Sequence, residues 1–317
     1  RTPICKLPNI EHTEQTFPVL FLYRKELIDS GGAGLHRGGM SAETCFIPHN
    51  TPTITHDTLS SGNAVPTSTG MMGGYPATVN IYKFRKDTDI LDRLKLANLP
   101  SDISEVPGEE ITLELRQQNF QQDPSDVYAV VWTGGGGFGD PLSREPQKVA
   151  DDVTESRAVS VNAAREIYGV VLESNGEVNS SETQKLRDAI RAKRKSYPVN
   201  GSTSHKVMKL GGKIFKEVTE NLCLQYPESG KTGKSSLRWS CRHCTTDLGS
   251  ASENYKLGCA RYDAPIAAAN PNIGDWARYV DDKPFFRQFF CPGCGSLIEN
   301  EVARDGDPLL QDVQIKL

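Results

Sequence analysis

No stretch of this sequence approaches the ~20 apolar residues that a membrane-crossing helix needs, and its opening residues show no charged segment running into an apolar one. A spanning helix and a secretion signal are therefore not expected, and the expected location is the cytoplasm. Charge of a single sign is missing too. A formal net charge of -4, with 24% charged residues, supplies no global field to draw in nucleic acid or an anionic membrane, so neither is expected as a partner. The six histidines, at 12, 36, 49, 56, 205 and 243, form no pair at ligand spacing, which argues against a histidine-built catalytic metal site. Internal repeats and long low-complexity tracts are absent as well.

Cysteine is absent from 46 to 222, yet six of the eight cysteines fall between Cys223 and Cys294. Four of these form two C-x-x-C pairs, Cys241-Arg242-His243-Cys244 and Cys291-Pro292-Gly293-Cys294. Without a secretion signal, that pattern favours reduced thiolates on a metal over a disulfide scaffold. Each pair places two sulfurs on one tight turn, and two such turns close a tetrahedron, the arrangement of a structural Zn2+ site. Two unrelated reduced pairs are the alternative. Arg238, Arg242 and His243 are expected to offset the thiolate charge, and Cys259 to be a small buried apolar residue. From Lys231 to Leu317 there are 11 Lys plus Arg and 11 Asp plus Glu, so this region has no basic face for phosphates. A protein contact suits it better.

With 317 residues the chain can form two or three units. Up to residue 142 the pattern predicts strands at 17–28, 78–84, 111–116 and from 126, separated by glycine-rich loops at 29–39, 60–76 and 134–139. After Pro146 the pattern turns helical: a helix opening at Pro146, a short one from about Asn162 leading into a strand at 168–172, and a helix over 181–196. For this last helix Ser181 and Gln184 read as a capping box, and its lysines and arginines as a solvated basic face. Residues 197–205 have linker composition, and 207–218 read as a hairpin turning at Gly211 and Gly212. The stretch 228–236 contains Gly-Lys-Thr and Gly-Lys-Ser, but Glu228 stands where a P-loop needs glycine, so it reads as a loop.

The first glycine loop, DSGGAGLHRGG (29–39), admits two readings. Rows of glycine can turn backbone N–H groups into an anion cradle, with Gly31, Gly32, Gly34, Gly38 and Gly39 as its wall and Arg37 as a bidentate contact. Alternatively the glycines permit close strand packing.

Four segments in order, DSGGAGLHRGG (29–39), GGGGFGDPLSR (134–144), VADDVTESRAVS (149–160) and AAREIYGVV (163–171), resemble the C-terminal part of hydantoinase B-type subunits. That family includes N-methylhydantoinase and oxoprolinase halves and the large subunits of acetone carboxylase, and the resemblance covers roughly residues 8–175. From about 205 to 317 the chain is similar to the small zinc-containing subunit of acetone carboxylase. The resemblance implies an α+β protein: a strand-rich partial hydantoinase B-type domain with a short helical segment (1–196), a linker (197–207) and a zinc-ribbon-like C-terminal domain (208–317). It also implies one subunit of an ATP-dependent, biotin-independent ketone carboxylase. ATP and a divalent ion, Mg2+ or Mn2+, would then sit on partner subunits, one of hydantoinase A type and one carrying the N-terminal hydantoinase B-type half. No catalytic residue is expected in this chain. Its start, without methionine and soon in a strand, suggests one piece of a split fold. Half of an ATP-dependent cyclic-amide hydrolase, or a non-catalytic zinc-ribbon adaptor, are the competing readings.

Overall fold

The computed structural model describes residues 8–228 and 233–315. In chain order the elements are α1 (Ile10–Thr16), β1 (Val19–Glu26), β2 (Ala42–Pro48), β3 (Ile54–Leu59), β4 (Ile81–Lys86), α2 (Ile90–Lys95), β5 (Glu109–Ile111), β6 (Arg116–Gln122) and β7 (Val127–Val131). There follow α3 (Pro146–Thr154), α4 (Val161–Glu166), α5 (Ser180–Lys195), β8 (Ile214–Glu217), β9 (Leu222–Gln225), β10 (Arg238–Cys241), β11 (Asp247–Ser250), β12 (Ala260–Pro265), β13 (Pro284–Phe290) and β14 (Leu297–Arg304). They fall into two compact units.

The first unit takes Arg1–Leu27, Ser41–Asn63 and Val79–Thr133. Its sheet runs β1-β2-β7-β4-β5, antiparallel throughout. β7 lies at the centre, and every one of its residues is buried, which is why VYAVV is apolar without alternation. One face packs Leu22, Cys45, Ile47, Val127 and Ala129 against Ile90, Ile103 and Val106, and the other packs Phe84, Leu113, Phe120, Tyr128 and Val130. In the separate β3–β6 ribbon the His56 ring stacks on Phe120, with centroids 4.7 Å apart, and its Nε2 lies 2.7 Å from Gln122 Oε1. Burial lowers the His56 pKa against the opposing effect of that hydrogen bond. The strand expected at 111–116 is absent as one piece. β5 ends where it should begin and β6 begins where it should end, because the Glu114 amide donates to the Gln117 side chain instead of to a ladder.

The second unit takes Ile28–Met40, Ala64–Thr78 and Gly134–Leu317. It holds the first and third glycine loops, the second from Ala64 on, helices α3 to α5, a sheet ordered β11-β10-β9-β8 and another ordered β12-β13-β14. Pro146 opens α3 as expected. α5 is capped differently from the expectation: the Asn179 side chain accepts from the Glu182 amide, so Ser181 lies inside the first turn. Nor is its basic face wholly solvated, since Arg187 and Arg194 are buried. The strand expected at 168–172 reduces to a single bridge between Leu172 and Val178. The Val170 amide donates to Ala164 O and the Val171 amide to Thr183 Oγ1, leaving neither for a ladder. The 207–218 hairpin turns later than expected, at 218–221 between β8 and β9. Leu210 and Gly212 instead give their carbonyls to Gln225 Nε2. Residues 197–205 are fastened, with Tyr197 stacked on Tyr262 at 4.6 Å and Arg261 N donating to Pro198 O. Of the P-loop-like stretch, 229–232 lie outside the described residues, and 234–236 form a short 3-10 turn.

Candidate metal centre and the glycine layer beside it

Each C-x-x-C pair sits where one strand of a hairpin ends and the next has yet to begin, β10 into β11 and β13 into β14. The two turns share one hydrogen-bond plan. Cys241 O accepts from Thr245 N and Cys241 N donates to Thr246 O, while Cys291 O accepts from Gly295 N and Cys291 N donates to Ser296 O. The residue after each second cysteine is left-handed, Thr245 at φ 58° and Gly295 at φ 75°. A hydroxyl then stands beside that second sulfur: Thr246 Oγ1 lies 3.1 Å from Cys244 Sγ and Ser296 Oγ 3.2 Å from Cys294 Sγ.

The two turns face each other, and the four Sγ atoms lie within 4.8 Å of one another. Cys241 and Cys294 are 3.8 Å apart and Cys244 and Cys291 3.5 Å, beside the edge of about 3.8 Å for a sulfur tetrahedron with ~2.3 Å metal bonds. The donor set therefore fits Zn2+, with all four positions filled by protein, the pattern of a structural ion rather than a catalytic one. Hydrogen bonding from Cys241 holds the Cys294 thiol down to about 6 and the Cys244 thiol well below its ordinary range. Cys241 itself is pushed up, chiefly by its bond with Cys244.

The charged neighbours do not serve as expected. Arg238 Nε bonds both carboxylate oxygens of Asp247, Arg242 pairs with Glu217 and Glu220, and His243 Nε2 donates to Asn221 Oδ1. The polar groups shown beside the sulfurs are the two hydroxyls, of Thr246 and Ser296. Cys259 is fully buried in the core with Trp239, Tyr255 and Phe289.

Against this ribbon lie the glycine loops, laced by their own backbones. Gly32 N donates to Gly135 O, Gly135 N to Gly39 O, Gly38 N to Gly32 O, Gly137 N to Tyr75 O and Tyr75 N to Ala33 O. The strands approach so closely that a Cβ on Gly38 would overlap Gly135 O, and one on Gly74 would overlap Gly137 O. Of the six loop residues, Gly32 and Gly38 have given their amides to this lattice, and Gly34 N–H bonds the Tyr168 hydroxyl. Arg37 turns to Gly38 O at 2.7 Å and to Asp152 at 3.4 Å. These contacts provide close packing of the loops, and His36 is exposed beside Phe138.

Sequence reasoning missed the residues that join ribbon to layer. Asp140 Oδ2 accepts from Arg194 at 2.7 Å and from Leu297 N at 2.9 Å, both within a buried setting, and Arg194 also reaches Gly295 O. Asn221 Nδ2 donates to Met72 O and Ile298 O, and Asn300 Nδ2 to Gly74 O. Glu299 accepts from Met72 N, its carboxyl raised by burial. Only the Asp-Pro following the glycine run marks Asp140 locally, as a cap; its distant partners leave no local sign.

Residues 2–141 match the family described as hydantoinase B/oxoprolinase, and residues 217–317 match the family of the acetone carboxylase gamma subunit. The two parts of the chain are thus similar to two different families, the first to hydantoinase B/oxoprolinase and the second to the acetone carboxylase gamma subunit. It is 31% identical over 223 residues to the acetone carboxylase alpha subunit of Xanthobacter autotrophicus, covering 62% of this chain and 28% of that one. It is 30% identical to the caprolactamase beta subunit of Pseudomonas jessenii, over 57% of this chain and 28% of the relative. The acetophenone carboxylase beta subunit of Aromatoleum aromaticum is 35% identical over 82 residues, 25% of this chain and 64% of the relative. A solved nucleotide-free acetone carboxylase structure aligns with a TM-score of 0.51 at 30% identity, over 61% of this chain and 28% of that one. The chain thus spans little more than a quarter of its long relatives and about two thirds of the short one.

Proposed function

We propose that this chain is a subunit of a multisubunit, ATP-dependent, biotin-independent ketone carboxylase of the cytoplasm, corresponding to the gamma subunit of acetophenone carboxylase and acting on acetophenone and bicarbonate to give benzoylacetate. The observation that carries the reading is the pairing in one polypeptide of a hydantoinase B-type domain with an acetone carboxylase gamma-type domain. In this reading 1–196 and 208–317 are the two domains, 197–207 joins them, and the two family matches lie on either side of that join. Cys241, Cys244, Cys291 and Cys294 hold a Zn2+ that fixes the ribbon and takes no part in chemistry. The loop Gly31, Gly32, Gly34, Arg37, Gly38 and Gly39 supplies rigid wall, with Arg37 balanced by Asp152. ATP and a Mg2+ or Mn2+ ion belong to a hydantoinase A-type subunit and to the subunit with the N-terminal hydantoinase B-type half. The likeness to a caprolactamase subunit favours one rival, an ATP-dependent cyclic-amide hydrolase.

Native purification tests both. The carboxylase reading expects those two subunits to accompany the chain, with ATP turnover that needs ketone and bicarbonate together. Turnover that follows a lactam and ignores bicarbonate selects the hydrolase, and turnover by this chain alone defeats the division of labour.

A further inference from the structure

β8 is the last strand of the β11-β10-β9-β8 sheet, and it pairs only with β9 among the described residues. All four of its residues are exposed. The segment leading to it is held at the start of β11, where Lys209 bridges Thr246, and then runs to the β8 edge past Gln225. From Lys206 to Lys216 this segment carries four lysines, at 206, 209, 213 and 216, and no acidic residue, in a chain whose net charge is -4. None of the four has an ion-pair partner among the described residues; the first acid after them, Glu217, is taken by Arg242 at 2.7 Å. Between the lysines stand Val207, Met208, Ile214 and Phe215, exposed at 43, 50, 45 and 56%.

Lysines alone would suit an edge guarded against aggregation. Four large apolar side chains, each 43% exposed or more, within nine residues do not suit a guard, and they need a cover even with the Phe215 ring edge-on to Tyr226. We propose that residues 206–217 are a docking edge that accepts an extended, acidic and apolar segment of another protein as a fifth strand beside β8. The open ladder groups of β8 would bond the incoming backbone, Ile214 and Phe215 would meet its apolar side chains, and the lysines would meet its carboxylates. An anionic lipid surface or a nucleic acid would satisfy the lysines but would leave the strand edge without a ladder, which is why a protein segment is favoured. The inference does not depend on the carboxylase reading, since a cyclic-amide hydrolase would need its subunits joined equally.

The test uses the full chain with its zinc and a fluorescent nonapeptide of alternating glutamate and valine. Four comparison probes are the same peptide N-methylated at alternate amides, a lysine–valine peptide, phosphatidylserine-containing vesicles and single-stranded DNA. The expected result is salt-sensitive binding of the acidic peptide, slower amide exchange over 213–217 on binding, and at least about tenfold weaker binding for the N-methylated peptide. The triple variant Lys209→Glu, Lys213→Glu, Lys216→Glu, checked for unchanged zinc content and melting temperature, should lose about tenfold or more as well. Should that variant fail to fold, Phe215→Ser with all lysines kept is expected to weaken binding severalfold. Equal binding of the N-methylated or basic peptide, or binding of vesicles or DNA in place of the acidic peptide, overturns the proposal.

Discussion

The first glycine of the third loop stands seven positions after the start of β7, and across them the chain changes its means of cohesion. In Val127–Val131 side chains do the packing: each is buried against neighbours on one face or the other, and the backbones stay at ordinary strand spacing. From Gly134 to Gly137 there are no side chains to pack, and backbones of three loops close directly on one another. The first arrangement is stabilised by apolar area removed from water, and it tolerates loss of a methyl at modest cost. The second depends on the absence of Cβ atoms and tolerates almost no addition. A third means, the four-sulfur clamp, stands beside the glycine layer and holds the strands that brace it.

The largest effect should come from the clamp. Cys294→Ser is expected to lower zinc content from one ion per chain towards none, and to remove much of the stabilisation of a structural site, for which apparent values are ~10–16 kcal/mol. Metal analysis and thermal unfolding of the purified chain check this, and retention of a full ion with an unchanged melting temperature would falsify the assignment. Next in size is the glycine layer. Gly38→Ala is expected to cost about 3 kcal/mol or more in urea unfolding, because its methyl overlaps a backbone carbonyl that cannot swing aside. Gly39→Ala is the internal control: nothing lies within 4 Å of its added carbon, so a change within about 0.5 kcal/mol is expected there. Equal costs for the two would mean that the lattice is not the reason for the glycines.

The smallest effect lies in the first unit. Since burial lowers the His56 pKa from its ordinary 6.5, the unfolded chain binds the proton more readily than the folded one. Stability from this residue is therefore complete above about pH 6.5 and falls as the pH drops below it. Unfolding curves at a series of pH values should show a shallower acid decline for His56→Phe than for the unaltered chain. Using the difference between the two removes the separate acid sensitivity of thiolate–metal bonds.

Much of this could be read beforehand where the cause is local. The C-x-x-C spacing fixes a knuckle by itself, Pro146 fixes a helix start, and runs of glycine fix loops. What escaped reading depended on residues far apart in sequence. Arg194 looks like any solvated arginine of a basic helix until Asp140, 54 positions away, is brought to 2.7 Å. Asn221 looks like a turn residue, yet its amide joins Met72 to Ile298. The glycine loop was ambiguous for the same reason: whether its amides face an anion or another loop is decided by residues 70–75 and 134–139, which no local pattern brings near. Gly211-Gly212 misled in the opposite sense, since a good turn dipeptide was overridden by the Gln225 side chain holding the carbonyls on either side.

The lacing of the glycine loops also bears on the order in which the molecule can be built. The first loop gives amides to the third, and the second and third each give amides to both of the others, with acceptors tens of residues away along the chain. One loop, or any two, would leave amides and carbonyls open to water, with few apolar side chains to offset the entropy of ordering. The layer thus has little to gain from a half-assembled form, and physical economy places its closure late, upon hairpins such as β13–β14 that can form from neighbouring sequence.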